Sequence, residues 1–301
     1  MIQEFFTARD GKQLAYRWFA APDSEHVVIC LHGSTFNGLR YANFARVIAM
    51  RGTNVCLPDW RGHGESEGLP GDLDYETQLQ DDLFDLIEHL TSKGICKVVL
   101  GGHSAGALIA LRFIATTEHP QVSGYFAIAP PLTSTDETRK YDFTKGNWEY
   151  RIRYCRKKSH YRQPDKRALQ YAPEINIAKY TLAHVIPWFR SLKVMNFPEA
   201  GGTQGRVLSY SYRLLDAYSV RNYPELFSSL KVPCHFIVGE YDEVIDNDTL
   251  SSIVAWYVSP YIDSSFSLVP KVNHMTVLTP ASVSIAGWLT SLQHQKQGVA
   301  A

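Results

Sequence analysis

Ser104 stands at the centre of Gly102-His103-Ser104-Ala105-Gly106, a G-x-S-x-G pentapeptide. A neutral serine hydroxyl is a poor nucleophile; it needs a base beside it and a third group to orient that base. His274 and Asp242 have the side-chain types for those two roles, and both lie far downstream. Only a fold can bring the three together, so the elements that would carry them decide whether the chemistry is available.

Val98-Val99-Leu100 reads as a buried strand, and Ala105 to Thr117, rich in Ala, Leu and Ile, reads as a buried helix. A serine on the tight turn between them is held in a strained backbone conformation costing on the order of 1–3 kcal/mol. Glycines at 102 and 106 remove side chains that would collide as strand and helix close on each other. The hydroxyl is then presented over the sheet edge, beside the unpaired first amides of the helix.

The rest of the chain alternates in the same way. Residues 2–7 and 13–20 read as two strands joined through Asp10-Gly11. Val27 to Leu31 is a continuous apolar run ending in His32-Gly33-Ser34-Thr35, followed by a helical stretch over about 39–51. A strand over 54–57 leads into Asp59-Trp60-Arg61-Gly62-His63-Gly64-Glu65-Ser66. A long amphipathic helix then carries Tyr75, Leu79, Leu83, Leu86, Ile87 and Leu90 on one face. After the elbow come a strand through Tyr125 to Ala129, a strand Cys234 to Val238 ending in Gly239-Glu240-Tyr241-Asp242, a helix over 248–258, a strand over 265–269 and a helix over 281–293. This rhythm predicts a mainly parallel sheet wrapped by helices. In such a sheet the functional loops gather at the carboxyl ends of the strands, and Ser104, Asp242 and His274 each follow a strand. Asp246 and Asp248 are the rivals of Asp242 for the acid.

Between 131 and 222 the texture changes to tyrosine, arginine and lysine, with 17 Lys/Arg against 8 Asp/Glu. Too long for a simple loop, it reads as an inserted lid. Its basic excess suits an anionic substrate or transient contact with a membrane surface, and a solvated helical face accounts for it more simply. Trp148, Tyr150, Tyr154, Trp188 and Phe189 are candidates for an acyl pocket or for the lid's own core.

The bulk properties narrow the class. A chain of 301 residues with 45% hydrophobic and 20% charged residues is ordinary for a globular enzyme. Its formal net charge of zero gives no bias towards nucleic acid. The sequence shows no apolar run of the roughly 18–20 residues a membrane helix needs, and its start lacks signal-peptide character. The cysteines at 30, 56, 96, 155 and 234 form no CxxC pair, so a reduced, cytoplasmic setting is expected, with neither disulfide framework nor metal site.

The order serine, aspartate, histidine along the chain is that of α/β-hydrolases. With His32-Gly33-Ser34, the loop Asp59 to Ser66, Gly102 to Gly106, Gly239 to Asp242 and Asn273-His274 in place, the chain resembles the lidded branch of that superfamily. That branch includes monoacylglycerol lipases, lysophospholipases and other hydrolases of the serine aminopeptidase S33 type. The resemblance implies a mainly parallel eight-stranded sheet, a core of residues 1–130 and 223–301, and a mostly helical lid over 131–222. It implies Ser104 as nucleophile, His274 as base, Asp242 as the acid that orients it, and an oxyanion hole from the amides of Ala105 and Ser34. The loop reads His-Gly-Ser-Thr rather than HGGG, which leaves Thr35 as the alternative second donor. Asp246 matches a second acidic position of monoacylglycerol lipases, and His103 and the Asp59-Arg61-His63 loop are expected to be structural. The implied reaction is hydrolysis of a small acyl ester, monoacylglycerol- or lysophospholipid-like, without a cofactor. The same triad also serves thioesterases, amidases or peptidases and cofactor-free perhydrolases, and the same fold serves non-catalytic small-molecule receptors.

Overall fold

The computed structural model describes residues 1–132, 173–199, 205–220 and 222–298, with side chains as far as residue 292. The chain opens with β1 (Ile2–Thr7) and β2 (Gln13–Phe19), an antiparallel pair whose turn places Gly11 at φ 85°. β3 (His26–Leu31), α1 (Ala42–Ala49), β4 (Asn54–Pro58), α2 (Gln78–Ser92), β5 (Lys97–His103), α3 (Ala105–Thr116) and β6 (Val122–Ile128) follow. Next come β7 (Glu174–Ile175), α4 (Ile177–Val185), β8 (Lys193–Asn196), β9 (Ser209–Ser211), α5 (Tyr212–Tyr218) and α6 (Tyr223–Ser228). The chain ends with β10 (Cys234–Gly239), α7 (Asn247–Tyr257), β11 (Ser264–Val269) and α8 (Leu278–Gly298).

Eight strands form one sheet in the order β1-β2-β4-β3-β5-β6-β10-β11, parallel from β4 onward. Alternation along β3 shows how it is packed. Val27, Ile29 and Leu31 join α2 and α3 on one face, while Val28 and Cys30 meet Phe44, Ile48 and Ile285 of α1 and α8 on the other. Both faces are covered, which is why these strands read as continuous apolar runs. Among the described residues no helix is long and apolar enough to cross a membrane.

Three elements depart from the sequence expectations. The helix expected to include Tyr75 starts only at Gln78; Tyr75 lies in the turn before it and donates its hydroxyl to Asp81 at 2.8 Å. β5 extends past Leu100 to His103, because Gly101 and Gly102 let the backbones of β6 and α3 come close. The described part of 131–222 includes an antiparallel sheet, β7-β8-β9, of strands too short to show a period. Its buried aromatics are Tyr210, Tyr212 and Tyr218, whereas Trp188 is 88% exposed. Trp148, Tyr150 and Tyr154 lie outside the described residues.

The site depends on how closely β3, β5 and α3 approach. A Cβ on Gly106 would sit 2.4 Å from the Leu31 carbonyl oxygen and 2.5 Å from that of His32. These are backbone atoms of the central sheet and cannot swing aside. Gly106→Ala is therefore expected to cost about 2 kcal/mol or more, measured as a fall in thermal midpoint. A midpoint unchanged within error would mean that this contact is looser than the structure shows.

Candidate active site

Ser104 begins α3 with φ 53° and ψ −126°, a conformation only a tightly held non-glycine residue adopts. Its amide donates to the Ile128 carbonyl of β6 at 2.8 Å, and its carbonyl accepts from Ala107 at 3.0 Å. The side chain is partly accessible, in contrast to buried His103 and Ala105 on either side. Gly33 lies against it, since a Cβ added there would come within 3.3 Å of the Ser104 Cβ. The loop after β3 thus faces the elbow.

The acid and the base reach the same edge through another close approach. A Cβ on Gly239, at the end of β10, would meet the Val272 carbonyl oxygen at 2.5 Å. The loop after β10 is thereby pressed against the loop after β11. Across that contact, His274 Nδ1 donates to Asp242 Oδ2 at 2.9 Å, with Oδ1 at 3.2 Å. Asp242 is fully buried, and its Oδ1 also accepts the amides of Val244 at 2.8 Å and Ile245 at 2.9 Å. Burial alone would raise its pKa; the His274 charge and hydrogen bond, with the two amides, outweigh that and hold it below the usual value. Glu243 fixes the backbone by accepting the His274 amide at 3.0 Å.

The rival carboxylates are placed differently. Asp246 caps α7 by accepting the Thr249 amide at 3.1 Å, and Asp248 is exposed in the first turn of that helix. The Asp59 loop is held by pairs: Asp59 with Arg17 at 2.6 Å, and Arg61 with Asp82 at 2.5 Å and Asp10 at 2.7 Å.

Three neighbouring histidines have both ring nitrogens engaged. His32 donates from Nδ1 to the Gly33 carbonyl at 2.9 Å and accepts the Trp60 amide at Nε2 at 3.0 Å. His63 faces the Arg61 carbonyl with Nδ1 at 3.1 Å and the Tyr210 hydroxyl with Nε2 at 2.8 Å. His103 donates from Nε2 to the His274 carbonyl at 2.8 Å, and its Nδ1 meets the Tyr41 hydroxyl at 2.9 Å. Burial pushes all three down to about 3, so they stay neutral at working pH. His103 also packs its ring 4.7 Å from that of His274, so it supports the candidate base directly.

The oxyanion candidates separate as well. Ala105 supplies one of the unpaired first-turn amides of α3. The amide of Ser34 makes no hydrogen bond among the described residues. Thr35, the alternative, has its amide 2.6 Å from the Tyr210 hydroxyl and sits at φ 71°, which is costly for a β-branched residue. Tyr41, Tyr210 and Glu243 were not legible as site residues from the sequence; the pairing of Tyr210 with the Asp59 loop's His63 spans 147 residues, and no local pattern signals it.

A serine on a strained elbow, an imidazole oriented by a buried carboxylate and nearby amides without a hydrogen-bond partner among the described residues can together activate and stabilise an acyl centre. Comparison with known proteins gives the chain's family and fold. Residues 22–181 match the family model described as serine aminopeptidase, S33. A probable lysophospholipase L2 of Haemophilus influenzae is 24% identical over 268 residues, covering 84% of this chain and 80% of the relative. A soluble variant of monoglyceride lipase from Saccharomyces cerevisiae, solved with a substrate analogue, superposes with a TM-score of 0.70 at 16% identity, covering 97% and 96% of the two chains. A thermophilic esterase from Thermogutta terrifontis gives 0.63 at 19% identity, covering 97% and 99%.

Because the Asp242 pKa is depressed in the folded state, its contribution to stability is in place above the unfolded value of about 3.9 and is lost as pH falls through the folded value. The stability gap between wild type and Asp242→Asn should be wide at neutral pH and narrow in acid, as read by denaturant titration at several pH values. A gap that widens in acid would contradict the ionised, paired carboxylate.

Proposed function

We propose that this chain, which belongs to the serine aminopeptidase S33 family of α/β-hydrolases, is a serine hydrolase that cleaves a carboxylic ester through an acyl-enzyme. The observation that carries the reading is the buried Asp242–His274 pair, brought by the Gly239 contact to the strand edge that presents Ser104. Ser104 Oγ attacks the ester carbonyl while His274 Nε2 takes its proton. Negative charge collects on the carbonyl oxygen, where the amides of Ala105 and Ser34 receive it. The C–O bond to the leaving alcohol then breaks, and His274 returns the proton to that alcohol. Water, deprotonated by His274, then attacks the acyl-serine; the acyl–Oγ bond breaks, the carboxylic acid leaves, and His274 returns the proton to Ser104 Oγ. Asp242 holds Nδ1–H towards itself, keeps Nε2 available as the base, and stabilises the imidazolium when it forms.

Residues 131–222 are assigned as the lid and 1–130 with 223–301 as the core. β6 and β10 are hydrogen-bonded neighbours, Tyr125 opposite Cys234, so the chain between them is an excursion from a continuous sheet. The substrate is assigned as a monoacylglycerol- or lysophospholipid-like ester. Its support is the company of the relatives, a probable lysophospholipase and a monoglyceride lipase among them. Fold by itself does not choose a leaving group.

Initial rates on glycerol and choline-phosphate esters of increasing acyl length, with CoA thioesters and amino-acid amides alongside, test both parts. Turnover should be highest on a medium or long acyl ester, and Ser104→Ala should lose about 1,000-fold or more in kcat. Hydrolysis that Ser104→Ala leaves intact would remove the nucleophile assignment. A maximum at acetyl esters, or on thioesters or amides, would remove the substrate assignment.

A further inference from the structure

The three residues of the turn after β3 that follow His32 are treated unequally. Gly33 donates its amide to the Tyr41 hydroxyl at 2.8 Å, and Tyr41 meets His103 Nδ1 at 2.9 Å. Thr35 donates its amide to the Tyr210 hydroxyl at 2.6 Å, and Tyr210 meets His63 Nε2 at 2.8 Å. Each histidine turns its other nitrogen to a main-chain carbonyl, His103 to His274 and His63 to Arg61. A carbonyl can only accept, so that nitrogen carries the proton and the one facing the tyrosine accepts. Each tyrosine therefore donates to its histidine and accepts a turn amide. Two relays of the same form, amide to tyrosine to histidine to carbonyl, bracket Ser34.

Resting on the reading of Ser34 as an oxyanion donor, we propose that Tyr210 is a positioning residue. Its hydroxyl holds the Thr35 amide away from the reaction centre and so fixes the turn with the Ser34 amide facing the acyl oxygen. Geometry supports this from several sides. Tyr210 and His63 are both buried, and the rings of His63 and Phe197 meet Tyr210 edge-on with centroids 5.5 and 5.2 Å away. The hydroxyl thus has no freedom to leave. Around the same residue, the Thr35 carbonyl accepts the Val207 amide at 3.2 Å, and its Oγ1 accepts from Arg206 at 2.6 and 3.0 Å. All of Thr35's polar atoms are therefore held by residues 206–210, in the stretch assigned to the lid. That stretch is stitched in turn to the loop before α2, Ser211 donating to the Gly71 carbonyl at 2.8 Å. Through Tyr210, the lid segment sets the geometry of the oxyanion turn as well as covering it, so a change in that segment reaches kcat directly.

Tyr210→Phe keeps the ring and removes the hydroxyl, releasing the Thr35 amide. The test compares it with wild type and with Tyr218→Phe, a neighbouring buried tyrosine outside the relay. Three quantities are read: kcat, KM and the inhibition constant of a trifluoromethyl ketone, which forms the tetrahedral oxyanion on the serine. Loss of one oxyanion donor lowers kcat about 100-fold or more, and a misoriented one is expected to cost roughly 10- to 100-fold. Tyr210→Phe should show that fall with KM within about threefold, and ketone binding should weaken by the factor lost in kcat/KM. Tyr218→Phe should move none of these. A normal kcat in Tyr210→Phe, or a lower activity with unchanged ketone affinity, would overturn the proposal. A lower activity that only tracks loss of folded protein by circular dichroism would do the same. If wild type turns over no ester and reacts with no ketone, it is the hydrolase reading that fails, which separates the two outcomes.

Discussion

The site depends on one steric condition: at the centre of the sheet, two stretches of backbone must touch where side chains would ordinarily stand. Gly106 of α3 lies against the carbonyls of Leu31 and His32, and Gly102 against that of Leu31. This contact draws the turn after β3 to the elbow and puts Gly33 beside Ser104. The contact of Gly239 with Val272 does the same for the loops that carry Asp242 and His274. Neither is a matter of attraction between catalytic groups. The strained serine at φ 53° and the strained threonine at φ 71° are held because buried apolar packing on both sheet faces outweighs a few kcal/mol of local cost.

The electrostatics follow from the same packing. Burial strips the protons from His32, His63 and His103 and turns them into neutral connectors, each with one donor and one acceptor. His274 differs in having a carboxylate at its Nδ1, and Asp242 stays ionised in a fully buried position because His274 and two main-chain amides compensate for lost water. A site with several histidines therefore has a single one arranged as a base.

Much of this was legible in the sequence. The mostly parallel sheet follows from apolar runs separated by helical periods, its count of eight strands came from the resemblance to α/β-hydrolases, and that resemblance agrees with the family match. The Ser104 turn is local, with its glycines within two residues on each side, so the pattern itself carries the geometry. Tyr75 was misplaced because its spacing fits a helical face although its hydroxyl turns to Asp81 outside the helix. The strands β7, β8 and β9 have two to four residues each, fewer than a period-2 signal needs. Tyr210 was unreadable for another reason: its partner Thr35 is 175 residues away, and nothing near either residue marks the pairing.

The central claim is that Ser104 carries the acyl group between the two halves of the reaction. Acid-quenching the protein during turnover of an ester, then digesting it and weighing the peptides, tests this most directly. The account predicts an added acyl mass on the peptide containing Ser104, at up to one per chain, present during turnover and gone once the ester is exhausted. An acyl group mapped to another residue, or steady hydrolysis with no adduct at any quench time, would contradict it.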